Sequence, residues 1–394
     1  MPDGVVIVGG GQAGFQAAAS LRAEGYQEPI TLIGDEPHPP YQRPPLSKAF
    51  VLGKQNQDQI LLRPETYYRD HQIRWIPGER TMAIETCEHR VRLRGGAAIP
   101  YDSLVLALGA RNRTLPLPGV AYLRTLAEAI EIKQRLEQAN DVVIIGGGFI
   151  GLEIAASART LGKSVTVVEV LPRLMARVVA PVVSDFFYRA HVSRGVEVLL
   201  NTRVREIRGG DAVLEDGSRR HGDLVVVGVG IVPNTELAAE AGLPVANGIC
   251  VDEWLRTADE RIYAIGDCAV YPSAYARSRV RLESVQNAVD QAVAVAKAIA
   301  GKGAPYRAVP WFWSDQFDLR LQMAGLPAGH DQMVVRGEPE SGKFSVFYFR
   351  QGRLCAVDSV NRPADHLAAR KLIASGAPVN PQQAADESFS LKIS

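Results

Sequence analysis

A chain of 394 residues is longer than one compact core and predicts two to three domains. With 46% hydrophobic residues, 22% charged residues and a formal net charge of +1, it has the make-up of a globular protein whose main partner is neither nucleic acid nor a lipid surface. The four cysteines, Cys87, Cys250, Cys268 and Cys355, show no CxxC and no His/Cys ligand spacing, which argues against a metal or dithiol centre and for a reducing compartment.

Val5 to Val8 form a short β-branched run without a basic segment before it, and no stretch of about 18 apolar residues occurs anywhere. The expectation is an unprocessed cytoplasmic protein, in which the sequon Asn112-Arg113-Thr114 is a chance match. After Val8 come the glycines of "GGGQAG" and a helix running to about Gly25. "PITLIGDE" then supplies a second buried strand ending on Asp35 and Glu36, which completes a βαβ unit. The loop "PHPPYQRPPLSK" is expected to be extended and stiff, because each proline fixes its own φ and restricts its predecessor.

"YDSLVLALGAR" reads as a buried strand ending at Gly109, followed by the linker "LPLPG". From Asp141 the opening pattern restarts, with "DVVIIGGG", the helix "FIGLEIAASARTLG" and the strand "SVTVVEV" ending on Glu169. This is an internal duplication of a supersecondary unit. "RIYAIGDCAV" reads as a further buried strand and "SVQNAVDQAVAVAKAIAG" as a helix. From about Pro310 the texture becomes aromatic and strand-like, then closes on the helix "PADHLAARKLIASG", which predicts a separate α+β domain.

A lone GxGxxG is a weak signal, but both copies here follow an apolar strand, open a helix and meet a carboxylate roughly 20 residues on. In such a turn the first glycine permits the bend, the second lets the backbone approach a pyrophosphate, and the third lets helix pack on strand. The helix N-terminus offers N–H groups and partial positive charge to phosphates. Gly9, Gly11 and Gly14 form one candidate site, and Gly146, Gly148, Ile150 and Gly151 the other. Glu169 can accept from both ribose hydroxyls and repels a 2′-phosphate, so it favours NAD over NADP, although Arg173 and Arg177 lie nearby in sequence. Two dinucleotide sites imply a tightly held flavin and an exchangeable nicotinamide.

Taken together, "VVIVGGGQAG", "PYQRPPLSK", "LVLALGA", "VVIIGGGFIGLEIA", "GVGIVPNTELA", "IYAIGDCA" and "ESVQNAVDQA" resemble the NADH-dependent ferredoxin reductases of oxygenase systems over nearly the whole chain. The resemblance implies the glutathione reductase fold, α/β with two Rossmann-like domains and a C-terminal α+β domain. It places an FAD domain at 1–112 and 241–309, an NAD domain at 113–240 and an interface domain at 310–394. Disulfide reductases and NADH peroxidases of this fold need a cysteine near the flavin. The loop Pro37 to Lys48 has none, and Cys268 reads as a small core residue. Electrons must therefore leave to a partner, which the resemblance implies is a [2Fe-2S] ferredoxin serving a cytochrome P450 or dioxygenase. Rubredoxin or quinone as acceptor stays open, as does a non-enzymatic NADH sensor similar to apoptosis-inducing factor. The expected oligomeric state is monomer or weak dimer.

The resemblance also assigns roles to single residues. Asp267 is similar to the aspartate that binds the flavin ribityl and phosphate region, with a turn or cap aspartate as the alternative. Lys48 resembles the lysine near flavin N5, paired with Glu153; a solvated lysine and an unrelated helix glutamate are the alternative. Asp35, Glu36 and Arg43, with Arg124 and Arg111 as weaker candidates, are expected at the FAD. Val285 opens a helix aimed at the flavin, and Trp313 flanks the ring or is simply a core tryptophan. Arg277, Arg279 and Arg281 form either a basic patch for an acidic ferredoxin or a solvated charge run.

Overall fold

The strands Val5–Val8 and Asp141–Ile145 are almost wholly β-branched, and each becomes the centre of a parallel sheet buried on both faces. The computed structural model describes residues 2–392, which divide into two compact units. One gathers Met1–Gln42, Asp58–Arg111 and Val232–Pro310; the other gathers Arg43–Gln57, Asn112–Ile231 and Trp311–Ser394.

In the first unit the sheet runs Ile262–Ala264, Ser103–Leu106, Val5–Val8, Ile30–Ile33, Ile73–Ile76, with every neighbouring pair parallel. The helix Gln12–Ala23 buries Gly14, Ala17, Ala18 and Leu21, the spacing of one helical face, and its small side chains let it lie close to its neighbours. The helix Val285–Ile299 packs against it through Ala288, Ala292 and Val295, and Ser284 caps that helix by accepting the Asn287 N–H at 3.0 Å.

The second unit repeats this plan. Its parallel sheet runs Ala121–Tyr122, Leu224–Val227, Asp141–Ile145, Ser164–Val168, Val196–Leu199, the same order strand for strand. The duplication extends beyond the glycine turns. In each unit a three-stranded antiparallel meander is inserted at the matching place: Thr81–Glu85, Arg90–Leu93 and Ala98–Pro100 between the sheet strands Ile73–Ile76 and Ser103–Leu106, and Val204–Arg208, Asp211–Leu214 and Arg219–His221 between Val196–Leu199 and Leu224–Val227. Only the edge strand differs, since Ile262–Ala264 follows the rest of its sheet in sequence and Ala121–Tyr122 precedes its own.

The tail adds a five-stranded antiparallel sheet in the order Trp311–Gln316, Leu319–Gly325, Arg353–Val360, Lys343–Arg350, Gln332–Glu338. Alternation along Lys343–Arg350 divides its apolar residues between two cores. Phe344, Val346 and Tyr348 join Val183 and Phe187 of the helix Pro181–Ser193, whereas Phe347 and Phe349 join Ala369 and Leu372 of the helix Pro363–Ser375. The tail thus has its own sheet but shares a core with the duplicated α/β fold.

Two local expectations are corrected. The proline-rich loop is not extended throughout, because Pro44–Ser47 winds into a 3-10 turn closed by Lys48 N–H donating to Pro45 O at 2.9 Å. Proline suits the start of such a turn, where no N–H donor is needed. The expected strand "RIYAIGDCAV" is broken by the 3-10 turn Gly266–Cys268, entered through Gly266 at φ 75°. Among the described residues no helix is long and apolar enough to cross a membrane.

Candidate functional site

The first glycine turn divides its labour as expected of a dinucleotide cradle. A Cβ on Gly9, which has φ 121°, would lie 2.1 Å from Ala107 O, and one on Gly14 would lie 1.9 Å from Gly9 O. These two glycines are demanded by the protein itself. Gly11 is not, since its backbone is extended at φ −89° and a Cβ there would meet nothing within 4 Å. The first helical bond, Phe15 N–H to Gly11 O, leaves the N–H groups before it to partners outside the helix. The bare backbone at Gly11 leaves room for a pyrophosphate against that helix end, so the residues fit a bound dinucleotide.

The second turn reproduces this pattern. Cβ atoms on Gly146 and Gly151 would lie 2.4 Å from Gly228 O and 2.2 Å from Gly146 O, whereas one on Gly148 would find only Gly228 O, at 4.0 Å. Ile150, in the first turn of the helix, keeps 44% of its surface exposed. Glu169 is buried, and each of its oxygens already accepts a backbone N–H, Oε2 from Gly147 at 2.6 Å and Oε1 from Leu171 at 2.8 Å. Its carboxylate therefore shapes the turn as well as facing it, with a further lone pair on each oxygen for a ribose hydroxyl. Arg173 commits its guanidinium to its own loop, donating to Val179 O, Ala176 O and Ser184 Oγ at 2.7–2.8 Å.

Lys48 and Glu153, which are 105 positions apart, form an ion pair. The 3-10 turn delivers Lys48 Nζ to 3.0 Å from Glu153 Oε2, with Glu153 only 3% exposed and Lys48 21%. Two hydroxyls complete the arrangement: Ser47 Oγ donates to Oε2 at 2.5 Å and Ser314 Oγ to Oε1 at 2.7 Å. Ser157 Oγ, one turn along the helix from Glu153, donates to Ser47 O at 2.8 Å and pins the 3-10 turn in place. A buried carboxylate is tolerable only when paired and hydrogen-bonded, and this one is.

Sequence reasoning missed Ser47, Ser157 and Ser314. A signal for Ser314 existed: the strand Trp311–Gln316 turns Ser314 and Gln316, both polar, to the fully buried side. Trp313 is half-buried between its neighbours, with ring centroids 5.6 Å from Trp311 and 6.5 Å from Phe312. Arg43 donates to the Arg124 carbonyl, and Arg124 N–H donates to Glu128 at 2.7 Å, so these two arginines lie together at the start of the helix Leu126–Gln138.

Around the first turn, Asp35 is exposed and Glu36 accepts the Tyr41 hydroxyl at 2.6 Å. Gly266 sits against Ala13, a Cβ at the former lying 3.2 Å from that of the latter, which brings the Asp267 turn beside the first glycine helix. Gln291 Oε1 holds Gly266 N–H at 2.7 Å, and Val285 opens the same helix that carries Gln291. Trp75 presses on Gly10 and Gly34, where a Cβ would fall 2.7 and 2.4 Å from its ring edge. Arg111 is turned to Asn234 and Glu236, at 3.0 and 2.7 Å.

The arginine run is not a uniform solvated patch. Arg281 is 9% exposed, paired with Glu283 at 2.8 Å and bonded to Asp267 O, and Arg279 donates to Val251 O at 2.8 Å. Arg277 is exposed and alone among the three makes no such side-chain contact among the described residues, on a turn residue at φ 55°. All four cysteines are free, and burial pushes the Cys268 thiol up to about 11. A thiol held protonated in a core is inert.

Comparison with known proteins fits this construction. The family described as pyridine nucleotide-disulphide oxidoreductase matches residues 3–292, and the one described as reductase C-terminal matches residues 311–394. Rhodocoxin reductase of Rhodococcus erythropolis is 52% identical over 99% of this chain and 93% of its own. The crystal structure of the ferredoxin reductase for the CYP199A2 system from Rhodopseudomonas palustris superposes with a TM-score of 0.96 at 48% identity, covering 99% of this chain and 98% of that one. The putidaredoxin reductase of a covalent putidaredoxin reductase–putidaredoxin complex superposes at 0.95 with 41% identity, covering 98% and 97%.

Proposed function

The chain belongs to the pyridine nucleotide-disulphide oxidoreductase family, and from that premise we propose that it is an NADH-dependent ferredoxin reductase carrying electrons to a [2Fe-2S] ferredoxin of a cytochrome P450 or dioxygenase system. It is an oxidoreductase that uses FAD and a nicotinamide dinucleotide. When bound, FAD accepts two electrons from the nicotinamide and passes them on singly. The observation that carries the reading is the duplicated cradle, in which Gly11 and Gly148 have no protein reason to be glycine.

We assign FAD to residues 1–112 and 241–309, with Gly9, Gly11, Gly14, Asp35, Glu36 and Asp267 as the residues that hold it and Arg43 and Arg124 as further candidates. NAD falls to 113–240, with Gly146, Gly148, Ile150, Gly151 and Glu169. Lys48, oriented by Glu153, supplies a fixed positive charge where negative charge gathers on reduction, and the Ser284-capped helix starting at Val285 adds its dipole. Trp313 would supply an aromatic face beside the ring. NADH is the preferred donor because Glu169 disfavours a 2′-phosphate and Arg173 is committed elsewhere. Unpaired cysteines support a reducing cytoplasmic compartment.

The test is steady-state reduction of cytochrome c by the purified holoenzyme with NADH or NADPH and a panel of ferredoxins and rubredoxins. The expected result is strict dependence on a [2Fe-2S] ferredoxin and a preference for NADH. Strong preference for NADPH, or transfer to rubredoxin alone, overturns the corresponding part of the assignment.

A further inference from the structure

Glu153 Oε1 receives the Ser314 hydroxyl, and Ser314 belongs to the C-terminal sheet, 161 residues further along the chain. Ser314 is itself held. Gln316 Nε2 lies 3.3 Å from Ser314 Oγ, and Gln316 Oε1 lies 2.9 Å from His191 Nε2 on the helix Pro181–Ser193. All four of these side chains are buried.

The hydrogens in this chain can run only one way. Gln316 Oε1 accepts and never donates, so His191 Nε2 carries the hydrogen, and His191 Nδ1 has no partner among the described residues. Burial lowers the His191 pKa and keeps the ring neutral, in keeping with a single hydrogen on Nε2. With its oxygen so engaged, the Gln316 amide presents N–H to Ser314 Oγ, and the serine hydrogen is directed to Glu153. At the far end, Ser47 and Lys48 donate to Oε2. Each carboxylate oxygen thus has an assigned donor, and rotation of the Glu153 head would break a hydrogen bond at both.

We propose that Ser314 is a positioning residue for the reaction, contributed by the C-terminal sheet: aligned by Gln316 and His191, it locks the Glu153 carboxylate so that Oε2 holds the Lys48 ammonium in one place. This rests on the functional reading above, in which that ammonium stabilises the reduced cofactor. A carboxylate that has lost its Oε1 donor turns, and the ammonium loses its fixed position.

The experiment compares holoenzymes carrying Ser314→Ala, Ser314→Cys and Ser314→Thr. Cysteine keeps a small polarizable side chain but is a weak donor, and threonine keeps the hydroxyl. For the alanine and cysteine variants, flavin reduction at saturating NADH slows about tenfold with little change in the NADH dissociation constant, as expected when one charge-assisted hydrogen bond is lost at the reacting end only. The two-electron midpoint potential of the bound flavin, read by dye equilibration without NADH, falls by about 30 mV, the same tenfold converted for a two-electron couple. Ser314→Thr retains both values. Unchanged rate and potential in Ser314→Ala, or an equal loss in Ser314→Thr, overturns the proposal. If NADH fails to bleach the wild-type flavin, the functional reading falls, and the potentials still decide the role of Ser314.

Discussion

Two glycines three positions apart in one turn are glycine for different reasons, and substitution separates them. Gly151 is glycine because a Cβ would sit 2.2 Å from Gly146 O, inside the protein's own backbone. Gly148 has an ordinary extended backbone at φ −85° and open space before it. Gly151→Ala is expected to destabilise the protein by about 3 kcal/mol, the scale of an overpacked core. Gly148→Ala should shift stability by no more than about 0.5 kcal/mol, as for a surface change. It should nevertheless weaken NADH binding about tenfold or more, because a methyl group then stands between backbone N–H groups and phosphate. Urea unfolding and NADH titration measure the two effects independently, and loss of stability in Gly148→Ala would show that the glycine serves the fold instead. That Gly151 must be glycine for the fold was legible in the sequence, because the demand follows from local backbone stereochemistry.

At the scale of elements, the C-terminal sheet carries a buried acid that the proposed chemistry does not use. Asp358 lies opposite Val346 in the antiparallel ladder, is fully buried, and accepts the Tyr348 hydroxyl at 2.5 Å. Tyr348 OH in turn accepts the Ala180 N–H at 3.1 Å, at the start of the helix Pro181–Ser193, so the acid lies where the sheet meets that helix. Burial pushes its pKa up from 3.8 to about 7, against the opposing pull of the Tyr348 hydrogen bond. The folded state therefore binds this proton more tightly than the unfolded chain does. Its contribution to stability is complete below about pH 4, declines as pH rises to about 7 and is level above, with a total of at most about 4 kcal/mol. Asp358→Asn should remove that decline, so the variant gains on the wild type between pH 5 and pH 8. Parallel curves of unfolding free energy against pH would show that Asp358 titrates normally. The aromatic, strand-like texture after Pro310 announced strands, but not that both faces of Lys343–Arg350 are buried, because each face finds its cover in a helix distant in sequence.

At the scale of the whole molecule, a net charge of +1 gives no long-range pull on an acidic ferredoxin, so any steering must be local. Of the three arginines in "RSRVR", two spend their guanidinium groups on the protein's own carbonyls and Glu283. Arg277→Glu is therefore the clean substitution. It should raise the KM for ferredoxin about three- to tenfold at low ionic strength, fading as salt screens the contact. NADH oxidation by ferricyanide should stay unchanged; an equal effect on both acceptors would place Arg277 outside the docking surface. Replacing Arg281 would disturb the Asp267 turn as well and could not distinguish docking from cofactor binding.

The duplication itself was visible from the repeated strand, turn and helix, and the folded chain extends it to two five-stranded sheets in the same strand order, each with its own meander. The sequence by itself determined the two glycine turns between strand and helix, the carboxylate closing each βαβ unit and the absence of a cysteine in the loop 37–48. These depend on conformational limits acting over about 30 residues or fewer. The resemblance paired Lys48 with Glu153, and only the tertiary structure decided what else surrounds that carboxylate. Its donors come from Ser47, Lys48 and Ser314, between 105 and 161 positions away, and no local rule connects a helix glutamate to a serine on the buried side of a strand in another sheet. A buried charge makes that connection compulsory, since it must be fully hydrogen-bonded, but which residues satisfy it is settled by packing.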